Sequence, residues 1–360
     1  MASVLSAEGR SWAYAVLAGG EGGQVIDDSQ VVGSPDSVDT EAVRGKPDSN
    51  EQAADRIVVG IGDSGPDHYR AALALAAHMS RQRDATITLV HGCLPRLSIG
   101  TGGALERHVT RGRQLLEEAG LVLSPMVYPS TQIGLAAVPL TGIDALLQES
   151  HTAGALIVQR RSLSVLSRTF TGASSHTVAA QAACPVIVVR HDHSDIESSS
   201  GVVVGITPQS GLRALDVGVI EAAVRRCPLI AVYVWDLRFS PPSGSRIDPD
   251  EQELAEATSW ADSLLSRAVA HVATLNPDVD FHARTVKGDI EDGLLQEAEQ
   301  AELLVVERHR DAHLASIGLG TLTRHLIDQA PCPVMITPQS EAVGHPHDAG
   351  TTEPKITTES

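Results

Sequence analysis

From residue 57 to residue 338 short apolar runs alternate with longer amphipathic stretches, the pattern of βαβ units folded around a parallel sheet. The pattern occurs twice. In the first half it predicts strands at RIVVGI (56–61), ATITLVHG (85–92), LVLSPMVY (121–128), GALIVQ (154–159) and PVIVVR (185–190). In the second half it predicts strands at GVVVGI (201–206), PLIAVYVW (228–235), VDFHARTV (279–286), ELLVVE (302–307) and PVMITP (333–338). Between strands the period changes to that of a helix. Leu254, Ala257, Ala261, Leu264, Leu265 and Ala268 form one apolar stripe, with Glu253, Asp262 and Arg267 off it. Asp289 is placed to cap a helix that carries Asp292 in its first turn and Ile290, Leu294 and Leu295 behind.

The halves also match in detail: AACPVIVVR (182–190) corresponds to APCPVMITP (330–338), an internal repeat of domain size. The expected architecture is therefore α/β, with two tandem doubly wound domains of five parallel strands each, at 57–190 and 201–338. The polar segment 191–200, HDHSDIESSS, reads as the linker. Residues 1–56 and 339–360 are rich in small and polar residues with little periodicity, a composition that predicts disorder because too little apolar surface is available to offset ordering entropy.

Composition narrows the function classes. Aromatic residues are only 3% of the chain, so the interior is built from Val, Ile, Leu and Ala, as suits strands covered by helices on both faces. The formal net charge is −18, and residues 1–56 hold ten acidic against four basic residues; no clustered Lys and Arg exist to contact nucleic-acid phosphates. Cys93, Cys184, Cys227 and Cys332 lie far apart without a CxxC pair, which predicts neither a zinc site nor a disulfide framework and suits a reducing cytoplasm. No apolar run approaches the roughly 18 residues of a membrane-spanning helix, and the apolar patch from Trp12 to Ala18 follows no basic flank.

A VVVG strand leading into an Ala-rich helix, further βα units and a closing CPVIVV strand together resemble the universal stress protein family, over about residues 57–338. The resemblance implies a Rossmann-like fold of that type, with the two domains packed through their last strands as separate chains are in family dimers. It also implies a phosphate-binding segment after the fourth strand: Gly, two residues, Gly, nine residues, then Gly followed by Ser or Thr. Such glycines let backbone N–H groups approach phosphate oxygens, and the last one opens a helix whose N-terminus attracts anions. In the first half that frame falls on Gln159, Ser162, Gly172 and Ala173, so Gly172 alone is kept. In the second half it falls on Glu307, Arg310, Gly320 and Thr321, keeping the terminal Gly-Thr pair. The Asp that meets the nucleoside in nucleotide-binding members is replaced by Gly62, with Asp63 one step late, and by Thr207. A Glu307 carboxylate at about 4 Å from a phosphate would be repelled by roughly 4 kcal/mol at an effective dielectric near 20, which Arg308 and Arg310 could offset.

The resemblance therefore implies a stress-response or regulatory protein, not an enzyme, that acts through protein interaction with nucleotide binding weak or lost. The alternative is an ATP-binding sensor whose second domain uses Gly320, Thr321, Thr207, Arg308 and Arg310; a nucleotide-hydrolysing enzyme on the same fold is a third reading. Other candidate chemistry is thinner. His309 and His313 are spaced as helical metal ligands and 191–193 and 345–347 resemble chelating tracts, but no third ligand converges, so no metal is expected. GDSGPD (62–67) meets neither the G-x-S-x-G nor the G-K-[ST] pattern, and Lys287 in its VKGD context reads as an exposed turn residue.

Overall fold

Runs of β-branched residues bounded by Gly, Pro and polar positions form the inner strands here because those strands are covered on both faces, so no alternation with polar residues is required. The computed structural model describes residues 14–17, 56–94, 102–160, 173–190, 201–207, 212–235, 251–308 and 319–338. A short edge strand, β1 (Tyr14–Leu17), precedes the first half. That half runs β2 (Arg56–Gly60), α1 (Arg70–Arg83), β3 (Thr86–Gly92), α2 (Gly102–Leu123), β4 (Ile133–Val138), α3 (Gly142–Glu149), β5 (Ala155–Gln159), α4 (Ala173–Gln181) and β6 (Val186–Val189). The second half repeats the order as β7 (Val202–Gly205), α5 (Arg213–Arg225), β8 (Leu229–Trp235), α6 (Glu251–Leu275), β9 (Phe281–Lys287), α7 (Ile290–Ala298), β10 (Leu303–Glu307), α8 (Thr321–Gln329) and β11 (Val334–Thr337).

All strands join one 11-stranded sheet in the order β1-β4-β3-β2-β5-β6-β11-β10-β7-β8-β9. Within each half the five repeated strands are parallel, with the first strand at the centre of the winding. The halves meet through their last strands, as expected: β6 and β11 pair antiparallel, with Val188 opposite Val334, Ile187 opposite Met335 and Val186 opposite Ile336. Ile187 and Met335 point into a core shared with α1, α2, α5 and α6, whereas Val186, Val188, Val334 and Ile336 point into a second core shared with α3, α4, α7 and α8. Both cores cross the junction without interruption. Each fully buried Val, Leu or Ile contributes about 1.5–3 kcal/mol, so the apolar side chains at the junction add to the stability of both halves.

The helix expectations hold where side chains are described. Ala261, Leu264 and Ala268 of α6 are buried, with Leu265 packed beside them. Asp289 caps α7 by accepting from the amides of Glu291 at 2.9 Å and Asp292 at 3.3 Å. Leu294 is buried behind this cap, but Ile290 is exposed.

Two expectations fail. Residues 121–128 are not a strand: α2 runs to Leu123, because Leu115, Leu116, Ala119 and Leu123 continue a buried helical stripe, and a short 3-10 turn at Ser124–Met126 follows. Pro125 removes the amide a strand would need there. The strand is instead β4, IGLAAV, whose Gly and Ala content hides it from a propensity reading. Residues 14–17 likewise depart from the disorder predicted for 1–56. The YAVL segment is β-prone and pairs antiparallel along the outer edge of β4, with Tyr14 opposite Ala136 and Leu17 opposite Ile133. The opposite edge of the sheet is β9, where Arg284 pairs with Glu297 and the Lys287 ammonium lies 5.7 Å above the Trp235 ring. Charged side chains of this kind blunt an open edge.

Candidate functional site

In a doubly wound sheet, ligands bind outside the carboxyl ends of the strands where the winding reverses. Here those crevices lie between β2 and β5 in the first half and between β7 and β10 in the second. In the first half the chain leaves β2 through Ile61, whose amide donates to the Val90 carbonyl at 2.8 Å. Gly62 follows, and the Asp63 side chain points outward, 88% exposed, with its carboxylate 3.9 Å from His91 Nε2. His91 itself is buried and turned by a 2.9 Å contact from Nδ1 to the Ile61 carbonyl. Gly92 ends β3 where a Cβ would come within 2.4 Å of the Gly142 nitrogen, so only glycine lets the start of α3 approach this closely.

Gln159 stands at the first crevice. It ends β5, is 8% exposed, and turns its side chain onto the N-terminal side of α1. Its Oε1 accepts from the Ala72 amide at 3.1 Å and its Nε2 donates to the His68 carbonyl. A glycine at this position would leave the space and the α1 amide open. The glutamine fills the space and satisfies both backbone groups. Gly172 lies outside the described residues.

The second crevice is built differently. Ile206 leaves β7 with its amide donating to the Val232 carbonyl at 2.9 Å, and half-buried Thr207 follows. Half-buried Glu307 ends β10 in the place of Gln159. Gly320 is buried and caps α8 without a side chain to contribute, at φ −59° and ψ 159°, and Thr321 opens the helix with its side chain exposed. The N-terminus of an α-helix concentrates amide dipoles that attract anions, and Gly320 and Thr321 stand at that end of α8. Arg310, His309 and His313 lie outside the described residues, as do 191–193 and 345–347.

Arg308, a candidate anion ligand by sequence, is turned toward the junction. It is 6% exposed, its amide donates to the Thr337 carbonyl at 2.9 Å, and its Nη2 donates across the junction to the Ala182 carbonyl at 2.6 Å. Arg160, the corresponding residue of the first half, does the reverse. Its amide donates to the Val189 carbonyl at 2.7 Å, its Nη1 to the Asp328 carbonyl at 2.7 Å, and its Nε lies 3.2 Å from the Asp328 carboxylate. The residue after each fourth strand therefore holds the last helix region of the other half. Charged donors that stand where a phosphate loop would begin are committed to the domain junction.

The cysteine thiols are not activated as nucleophiles. Burial pushes the Cys93 thiol up to about 11 and those of Cys184 and Cys332 up to about 12, which keeps them protonated at neutral pH. An open depression of about 380 Å³, lined by Arg226, Cys227, Asn276, Asp278 and Asp280 among others, lies at the opposite, amino-terminal end of the second-half strands. No described helix is long and apolar enough to cross a membrane.

The sequence matches the profile of the universal stress protein family over residues 53–190 and again over 201–338. The chain belongs to the universal stress protein family. A universal stress protein of Mycolicibacterium smegmatis is 30% identical over 295 residues, covering 78% of this chain and 96% of its own length. One from Mycobacterium tuberculosis is 26% identical over 302 residues, covering 79% of this chain and 96% of its own length. Among solved structures, a universal stress protein from Archaeoglobus fulgidus superposes with a TM-score of 0.57 at 14% identity, covering 81% of this chain and 98% of that one. A putative universal stress protein from Pseudomonas aeruginosa gives 0.51 at 15% identity, covering 81% of this chain and 95% of that one. These structures share the tandem fold. Sequence reasoning missed the side-chain role of Gln159 and the cross-junction use of Arg160 and Arg308, since spacing alone does not tell which way a side chain turns.

Proposed function

We propose that this universal stress protein acts in the bacterial cytoplasm as a non-enzymatic stress-response scaffold that works through protein interaction, with nucleotide binding lost from its first half and weak in its second. The observation that carries this reading is Gln159, whose amide occupies the first crevice and satisfies the Ala72 amide and the His68 carbonyl. A phosphate would have to displace both contacts and leave the glutamine without its partners, at a cost of about 1–3 kcal/mol for each buried group left unsatisfied. In the second half, Glu307 stands where the family frame has glycine and Arg308 is spent on the junction. One observation favours a second reading, an ATP-binding sensor: Gly320 and Thr321 keep the family's Gly-Thr pair at the start of α8.

Thermal unfolding of the full chain with and without millimolar ATP and Mg²⁺ separates the two readings, because a ligand that binds only the native state raises its melting temperature. The scaffold reading predicts melting curves that differ by no more than about 1 °C. A rise of several degrees that disappears in Thr321→Ala would replace it with the sensor reading.

A further inference from the structure

Helices α1 and α5 meet across the β6–β11 junction, and matching hydrogen bonds show which of their residues correspond. The Ala85 amide donates to the Ser80 carbonyl at 3.2 Å and the Cys227 amide to the Ala222 carbonyl at 3.1 Å. Ser80 thus corresponds to Ala222, and by the same spacing Met79 corresponds to Glu221 and Arg83 to Arg225. Burial agrees, with Met79 at 0% exposure and Glu221 at 2%. In the same way the Gly154 amide donates to the Arg56 carbonyl at 2.9 Å and the Glu302 amide to the Gly201 carbonyl at 2.8 Å, so Gly154 corresponds to Glu302.

Corresponding positions do not carry corresponding charge. Arg83 of the first half and Arg225 of the second converge on Glu221, whose Oε2 lies 2.5 Å from Arg83 Nη2 and 3.2 Å from Arg225 Nη2. Arg225 also pairs with Glu302, which His78 approaches to 3.5 Å. The first half contributes an arginine and has Met79 and Gly154 where the second half has its acids. The second half contributes an arginine and both acids. Only the mixed pair is balanced: two first halves would bury two arginines with no carboxylate, and two second halves would bring four carboxylates to two arginines. An unpaired charge in a buried interface is strongly unfavourable.

We propose that Glu221 and Glu302 form a pairing key that restricts each half to the opposite half, so that the halves of this chain fit one another and neither fits a copy of itself. The device achieves specificity by leaving charge unpaired in the wrong complexes. It stands independently of whether nucleotide binds either crevice.

Relocating the carboxylate within the full chain tests it. Glu221→Met leaves both arginines without their shared acceptor, and the melting temperature is expected to fall by several degrees. Met79→Glu with Glu221→Met moves the carboxylate to the corresponding position of the other half, between the same two arginines, and is expected to recover more than half of that loss. Met79→Glu alone adds a third acid and is expected to lower the melting temperature. If Glu221→Met does not fold, the relocated double variant is still expected to fold, and the milder Glu221→Gln to melt below the wild type. Wild-type melting of Glu221→Gln, or a double variant whose loss equals the sum of the two single losses, would overturn the proposal.

Discussion

The two crevices of this chain start from the same strand order and reach different ends. In the first, the residue after the fourth-strand core is a glutamine that hydrogen-bonds back to the start of α1, so the protein supplies its own occupant. In the second, that residue is half-buried Glu307, a carboxylate that would repel phosphate, and Gly320 and Thr321 stand at the start of α8. What the halves share is the next residue, an arginine that reaches across the junction. The comparison teaches that the two halves differ at the opening position of the frame, where Gln159 ties β5 to α1, and agree at the residue after it, which reaches across the junction.

The largest effect that sharpens this contrast is expected at Arg308. Its buried guanidinium donates to the Ala182 carbonyl, and Arg308→Ala should cost about 2–3 kcal/mol in chemical denaturation. Arg160→Ala, at a guanidinium with 32% of its side chain exposed, should cost about 1 kcal/mol or less. Equal losses would break the distinction between the buried and the exposed latch. Gln159→Leu leaves the Ala72 amide and the His68 carbonyl without their partner and should cost about 1–3 kcal/mol; wild-type stability would mean that water replaces the amide and the crevice is not sealed.

Acid should loosen the junction. Burial raises the Glu302 carboxyl, but the hydrogen bond from His78 and the charge of Arg225 outweigh it and hold the group below its usual range. Burial likewise raises Asp328, and the hydrogen bond from His176 and the Arg160 charge outweigh it. Groups lowered in this way contribute stability that is complete above the unfolded carboxylate range, about pH 4, and is lost as pH falls through their lower folded values. Glu302→Gln should therefore flatten part of the decline in stability below about pH 4, read as denaturation midpoints across that range. The smallest effect is expected for Thr321→Ala: its side chain is exposed at the start of α8, and the change should stay within about 0.5 kcal/mol.

Much of the architecture was legible because buried parallel strands write themselves as unbroken apolar runs. RIVVGI, GVVVGI and ELLVVE each became a strand at the expected place. The repeat around Cys184 and Cys332 also marked the strands that join the halves. β4 was not legible, since IGLAAV owes its place to β3 beside it and carries little strand preference of its own. At the candidate site, the loss of glycines at 159 and 307 could be read directly, but the direction of the replacing side chains could not. Arg308 illustrates the limit: next to a phosphate frame it reads as an anion ligand, whereas burial and a carbonyl 126 positions away decide its role. The Glu221 and Arg225 pair has the spacing of a helical ion pair, but its third member, Arg83, becomes apparent only once the halves are packed.

The central claim is that the first crevice is closed by its own glutamine and the second is too poorly equipped to hold nucleotide firmly. Calorimetric titration of the full chain with ATP and Mg²⁺, beside the same titration of Gln159→Gly, tests it most directly. The account predicts no saturable heat from the wild-type protein at micromolar to millimolar ATP. Saturable binding to the wild type that Gln159→Gly leaves unchanged and Thr321→Ala abolishes would contradict it, and would make the second half a working nucleotide site.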